Sequence, residues 1–210
     1  MDSLHIIGKS YNCDKSDDHH TFEGESYFDI YEKYFSKLRD KNINFLELGV
    51  RDASSLNTWA TYFDNANIHG VDIDSNAKLF QTGLFQIHIF SQDNDAKLGG
   101  LSDMVGGWDV VLDDASHINE LTLKSFSILW GSVKSGGLYI IEDLANSYRD
   151  LTEDCKNWNG MGLNDSKISF NNRREDMMAL FSDIISNLDG RFGNIRSIHF
   201  HQQIVIIEKI

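Results

Sequence analysis

The run Val110-Val111-Leu112-Asp113-Asp114-Ala115-Ser116-His117 carries an apolar stretch into two carboxylates and, three positions after the second, a histidine. A second apolar run, Leu138-Tyr139-Ile140-Ile141, ends in Glu142 and Asp143. Two strands that deliver carboxylates at their C-terminal ends supply the oxygen ligands that a hard divalent cation takes. Binding a hydroxyl to such an ion lowers its pKa, as it does for bound water. A histidine beside the ion can take the released proton near neutral pH. The chemistry implied is metal-assisted deprotonation of a hydroxyl.

Each of these residues also has a plainer reading. Asp113 could stand behind the ligands or cap a helix, and that role ranks ahead of direct ligation. Asp114 with Ser116 could be only the N-cap of the next helix. Glu142 and Asp143 could lie in a solvated loop, and a lone His117 could be a surface histidine. The joint occurrence of paired acids and histidine is what favours the functional reading. Lys15, His19 and His20 fit a polar N-terminus as well as they fit a cover over the site. His88, His199 and His201 fall in strand patterns and read as structural or exposed.

The elements that must position these groups alternate along the chain. Tyr27, Ile30, Tyr31, Tyr34, Phe35 and Leu38 recur at helical spacing after a polar loop, which predicts a core-packed helix. Strands are predicted at 45–49, 67–72, 85–90, 108–113 and 138–141. Helical segments fall between them at 56–63, 76–82, 95–104 and 120–133. Ser135-Gly136-Gly137 reads as a tight turn into the fifth strand. A helix at 177–188 and two strands at 195–200 and 203–208 complete the pattern. Strands alternating with helices predict an α/β fold with a mostly parallel sheet covered on both faces. The last two strands form an antiparallel pair, seven strands in all. Right-handed crossovers then set the C-terminal strand ends along one edge, where ligands bind in open sheets.

The chain reads as a single domain over 1–210. It divides into an N-terminal cover and helix (1–40), a cofactor and metal core (41–144), an acceptor lid (145–175), and a C-terminal helix and strand pair (176–210). The lid is polar, weakly periodic and contains Trp158, Gly160 and Gly162, and a stretch this long is usually a lid or disordered. The 210 residues suffice for one full core. A net charge of -13 argues against nucleic acid as a partner. No apolar run reaches a membrane span of roughly 20 residues, and the start lacks a secretory pattern, so the expected location is cytoplasmic. Cys13 and Cys155 are too few for a disulfide framework and read as free thiols. With no proline, turns fall to Gly, Asn, Asp and Ser.

The first half outlines a cofactor site. Gly49 closes the first strand and allows close backbone approach to a ligand. Glu47 before it disfavours a pyrophosphate and suits a cation. The turn Gly49-Val50-Arg51-Asp52-Ala53-Ser54 lacks the dinucleotide fingerprint, which weighs against a nicotinamide oxidoreductase. Asp72, ending the second strand, can accept both hydroxyls of a ribose. Ser91, Gln92 and Asp93 end the third strand, where an adenine edge could be read. A cationic nucleoside without phosphate fits these signals, and S-adenosylmethionine is such a molecule.

With these residues in place the chain resembles the class I S-adenosylmethionine-dependent methyltransferases. More specifically it resembles the metal-dependent sugar O-methyltransferases of the macrocin and mycinamicin type. The resemblance rests on Asp14-Lys15, His20, Phe45-Leu46-Glu47-Leu48-Gly49-Val50, Trp59, Tyr62-Phe63 and Gly70-Val71-Asp72-Ile73-Asp74. It continues through Asp113-Asp114-Ala115-Ser116-His117, Gly136-Gly137-Leu138-Tyr139 and Ile141-Glu142-Asp143-Leu144. It implies a Rossmann-like class I fold and Mg2+ held by Asp114, Glu142 and Asp143. It further implies His117 as general base, and Glu47, Gly49, Asp72 and Gln92 lining the S-adenosylmethionine pocket, to which Ser91 is added by position. The acceptor would be a sugar hydroxyl on a glycan or natural product, and the protein a possible homo-oligomer. The family usually has glycine where Ala53, Ser54 and Ala115 stand, and Gly-Asp-Gln where Phe90-Ser91-Gln92 stand. Two alternatives are a catechol-like acceptor and a non-catalytic accessory protein that keeps the fold.

Overall fold

The computed structural model describes residues 2–16, 20–148, 172–190 and 193–210. Helix α1 (Leu4–Ser10) opens the chain, where the sequence pattern predicts only a polar loop. Its Ser3 hydroxyl accepts from the Ile6 amide, and Leu4 and Ile7 are buried. Two buried apolar side chains on a seven-residue helix are too few for periodicity to register. A two-strand hairpin follows, β1 (Thr21–Phe22) and β2 (Glu25–Ser26). Ser26 then caps α2 (Tyr27–Phe35) through a reciprocal capping box with Asp29.

The sheet carries β3 (Asn42–Leu48), β4 (Asn65–Asp72), β5 (Phe85–Ile89), β6 (Trp108–Asp113), β7 (Val133–Ile141), β8 (Ile195–His201) and β9 (Ile204–Lys209). Their order is β5-β4-β3-β6-β7-β9-β8, with β5 to β7 parallel and β9 antiparallel to both β7 and β8. The expected seven-stranded sheet with its closing antiparallel pair is therefore present.

Burial on both faces explains the near-continuous apolar strands. Alternation divides them: Val110 and Leu112 point to one core, Val111 to the other. The first core packs α1, α2 and α3 (Ser54–Tyr62), with Phe28, Phe35, Phe45 and Trp59 in edge-on aromatic contacts. The second packs α4 (Asp95–Val105), α5 (Asn119–Leu129) and α6 (Arg174–Gly190).

The predicted turn Ser135-Gly136-Gly137 lies inside β7 instead. Trp108 pairs with Val133 and Val110 with Leu138, so the register shifts between them and the extra residues form a bulge. Gly136 takes φ +75 there. The predicted lid falls largely on 149–171, outside the described residues, as does Cys155; Cys13 is a buried free thiol. Among the described residues no helix is long and apolar enough to cross a membrane.

Candidate active site

Register places the acids side by side. Leu48 pairs with Asp113 and Asp113 with Ile141, so Gly49, Asp114 and Glu142 follow at the C-terminal ends of three adjacent strands. Backbone bonds extend the ladder past the strands: Asp114 N–H donates to Leu48 O (2.9 Å) and Glu142 N–H to Asp113 O (3.1 Å). A Cβ on Gly49, which has φ +90, would stand 2.1 Å from the Asp114 carbonyl oxygen. Only glycine lets the first turn approach the acidic loop so closely.

A cavity of about 900 Å³ opens at this edge, within the range of small-molecule sites. Gly49, Asp72, Ser91 and Gln92 line one part of it, and Asp114, His117 and Asp143 another. Glu47 does not line it. Its fully buried carboxylate accepts from Ser55 Oγ (2.8 Å) and Trp59 Nε1 (3.0 Å), tying β3 to α3. Burial pushes Glu47 up to about 7 despite the opposing Lys15 charge.

Asp72 works first on the protein itself. One carboxylate oxygen accepts from the Val50 and Arg51 amides and the other from the Asp74 amide. The turn it holds has Arg51 at φ 53 and Ala53 at φ 59. Ala53 thus keeps the left-handed shape that glycine adopts freely, at a cost of about 1–2 kcal/mol. Gln92 is buried, donating to Asp113 and Ser125 and accepting from the Ser116 amide. Asp113 does not line the cavity. It receives Gln92, Ser125 and Tyr139, and burial lifts it to about 6.

The acidic cluster lies around a buried lysine. The Lys15 ammonium bonds Asp114 Oδ2 and Glu142 Oε2 (2.7 Å for the latter) and stands 3.9 Å from Glu47 Oε1. Lys15 is 2 % exposed, packed among these acids and not in a solvated tail. Burial alone would pull the ammonium down, but Asp114, Glu142 and Glu47 outweigh it and hold it well above the ordinary value. Burial also opposes ionisation of Asp114, yet Lys15 and His117 bring it below the usual carboxylate range. Glu142 is pushed well up by burial and by Asp114, as expected when two acids share one cation. Its other oxygen accepts from Tyr31 OH.

His117 Nε2 lies 3.6 Å from Asp143 Oδ2 and 3.9 Å from Asp114 Oδ1. Ligand atoms of Asp114, His117 and Asp143 all fall within 4.8 Å of one another, so these residues could hold a metal ion. Glu142 stands beside that set, engaged by Lys15 and Tyr31. Both His117 (φ 54) and Asp143 (φ 55) hold left-handed backbone conformations, strain of the kind that collects at functional sites. Asn172 Nδ2 donates to the His117 carbonyl (2.7 Å), fixing the loop.

Sequence reasoning missed Tyr27 and Tyr31 as site residues, because their spacing reads as core. Their rings are buried, but Tyr27 OH donates to Asp143 Oδ1 (2.8 Å) and Tyr31 OH to Glu142. A buried hydroxyl needs such a partner; which one is set by contacts over a hundred residues apart in sequence.

No family model matches the chain. It is 28% identical over 196 residues to the 8-demethyl-8-alpha-L-rhamnosyl tetracenomycin-C 2'-O-methyltransferase of Streptomyces olivaceus, covering 88% of this chain and 50% of that protein. It is 30% identical over 152 residues to the L-olivosyl-oleandolide 3-O-methyltransferase of Streptomyces antibioticus, covering 69% and 38%. It is 32% identical over 126 residues to the mycinamicin VI 2''-O-methyltransferase of Micromonospora griseorubida, covering 56% and 31%. The chain thus spans half or less of the length of these relatives. In fold it is similar to MycE methyltransferase from the mycinamycin biosynthetic pathway, solved with Mg, SAH and mycinamycin VI. That match has a TM-score of 0.77 at 23% identity and covers 99% of this chain and 54% of MycE.

Proposed function

We propose that the chain, which fits the class I metal-dependent sugar O-methyltransferase family in sequence and fold, methylates a sugar hydroxyl from S-adenosylmethionine with Mg2+ and His117. The observation that carries this reading is one cavity lined by Gly49, Asp72, Ser91 and Gln92 at one part and by Asp114, His117 and Asp143 at another. The donor set suits both groups. Asp114 and Asp143 offer carboxylate oxygens of the kind that a hard divalent cation takes, with His117 beside them. Asp72 and Asp74 on the nucleoside side suit a sulfonium and repel a pyrophosphate.

Asp114 and Asp143 would hold the ion, with Glu142 completing the acidic set. Gly49, Asp72, Ser91 and Gln92 would line the nucleoside pocket. When bound, S-adenosylmethionine supplies the electrophilic methyl group and Mg2+ lowers the pKa of a hydroxyl it holds. His117 takes the acceptor's proton at Nε2, which lies 3.6 Å from Asp143 Oδ2 and 3.9 Å from Asp114 Oδ1. Asn172 and the strained backbone hold that imidazole at the cavity wall. Relatives named for methylating rhamnosyl and olivosyl groups supply the sugar as acceptor class. A small-molecule glycoside or glycan bearing a free hydroxyl is the substrate sought.

Calorimetric titration with S-adenosylmethionine, followed by turnover on deoxysugar glycosides with and without Mg2+, tests the reading. His117→Ala is expected to bind the cofactor normally and lose ~10²–10⁴-fold in turnover. Full turnover in that variant, or no cofactor binding by the wild type, would overturn it. In the second case an accessory role would take its place.

A further inference from the structure

Each aspartate of the candidate metal set uses its two oxygens differently. Asp114 Oδ2 is bonded to Lys15, and its Oδ1 faces His117 Nε2 at 3.9 Å. Asp143 Oδ1 is bonded to Tyr27 OH at 2.8 Å, and its Oδ2 faces the same nitrogen at 3.6 Å. One oxygen of each aspartate is thus engaged by a side chain from the N-terminal segment, and the other lies within 4 Å of His117 Nε2. Both anchors come from the N-terminal segment, more than ninety residues from their partners in sequence. Both are buried: Lys15 is 2 % exposed and Tyr27 0 %. Each donates to a carboxylate, and Tyr27 is not among the residues lining the cavity.

We propose that Lys15 and Tyr27 are positioning residues of the metal centre, each fixing one oxygen of an aspartate so that the other oxygen faces the site of the ion. The inference rests on the metal reading given above and deepens it. A carboxylate on a single-bonded side chain rotates unless something holds it, and an ion gains most from ligands already in place. Tyr27 does this with one hydroxyl. Lys15 does it with a charge that also bonds Glu142, so its removal disturbs more than orientation.

The test uses Mn2+ alone as the probe, titrated into the metal-free protein by calorimetry, beside the thermal melt of the same preparation. Tyr27→Phe keeps the buried ring and deletes only the donor. Its Mn2+ affinity is expected to fall about 10-fold or more, the usual consequence of losing a partner behind a ligand, while the metal-free melt stays near that of the wild type. Lys15→Met is expected to lose affinity as well, and Lys15→Arg to recover part of it. Tyr27→Phe binding within twofold of the wild type overturns the proposal, whether or not its melt shifts. Should Tyr27→Phe not fold, equal affinities in Lys15→Met and the wild type overturn it in the same way. A wild type that takes up no Mn2+ overturns the metal reading itself, and this proposal with it.

Discussion

Replacing Gly49 by alanine presses on the junction that builds the site. The added Cβ would lie 2.1 Å from the Asp114 carbonyl oxygen, 2.7 Å from the Asp114 carbonyl carbon and 2.9 Å from Ala115 Cα. All of these are backbone atoms, so no side chain can swing away. Neither partner can retreat easily, because Gly49 N–H is bonded to Val71 O (2.8 Å) and Asp114 N–H to Leu48 O (2.9 Å). The φ of +90 adds the left-handed cost, about 1–2 kcal/mol. Forced overpacking adds about 1–3 kcal/mol. The sum of about 2–5 kcal/mol corresponds to a melting temperature lower by about 4–20 °C for a chain of this size. Relief by moving Asp114 would shift a candidate ligand, so Mn2+ affinity should fall together with the melt. Gly99→Ala in α4 is the control, since nothing lies within 4 Å of its would-be Cβ. There the loss of backbone freedom in the unfolded chain predicts a gain of about 0.5–1 kcal/mol. Differential scanning calorimetry of both variants decides the matter. A Gly49→Ala protein that melts and binds Mn2+ like the wild type would refute the close-approach argument.

Glu47→Gln probes the buried carboxylate through pH. Its folded value of about 7 lies above the ordinary 4.5, so the folded state keeps a proton that the unfolded chain gives up earlier. The associated stability is therefore present below about 4.5 and lost as pH rises through about 7. That gap, at about 1.4 kcal/mol per pH unit, is worth about 3 kcal/mol. Relative to the wild type, Glu47→Gln should gain about that much between pH 5 and pH 8 in urea titrations; a parallel pH response of the two proteins would count against it. Asn172→Ala removes bonds to the Asn119 amide and to the His117 and Asn146 carbonyls. It should cost about 2–3 kcal/mol and lower turnover beyond what the melt explains. Unchanged kinetics would show that the His117 loop holds itself.

The strand ends were legible in the sequence because buried parallel strands read as apolar runs and the acids punctuate them. Asp113, Asp114, Glu142 and Asp143 could be placed at one edge from that alone. Three features were not legible. Helix α1 is too short to show a period. The Ser135-Gly136-Gly137 segment has turn chemistry, yet pairing between Trp108 and Val133 absorbs it as a bulge. Lys15, Tyr27 and Tyr31 carried signals of a polar loop and a core helix, and only the fold brings them to Asp114, Asp143 and Glu142. Glu47 shows the converse. Its place before Gly49 was read correctly as a strand end, but alternation turned its side chain toward Ser55 and Trp59 and off the cavity wall.

The distance in sequence between Lys15 and its partners, 99 residues to Asp114 and 127 to Glu142, bears on how the chain reaches its final form. Lys15 cannot bury its ammonium until the sixth and seventh strands exist to receive it, since an uncompensated charge in the interior is prohibitive. The segment around Lys15 must therefore stay solvated while the sheet assembles, and dock as a late event. Assembly of the carboxylate cluster is in this sense coupled to completion of the sheet, so its final geometry forms only after the strands that carry Asp114 and Glu142 are in place.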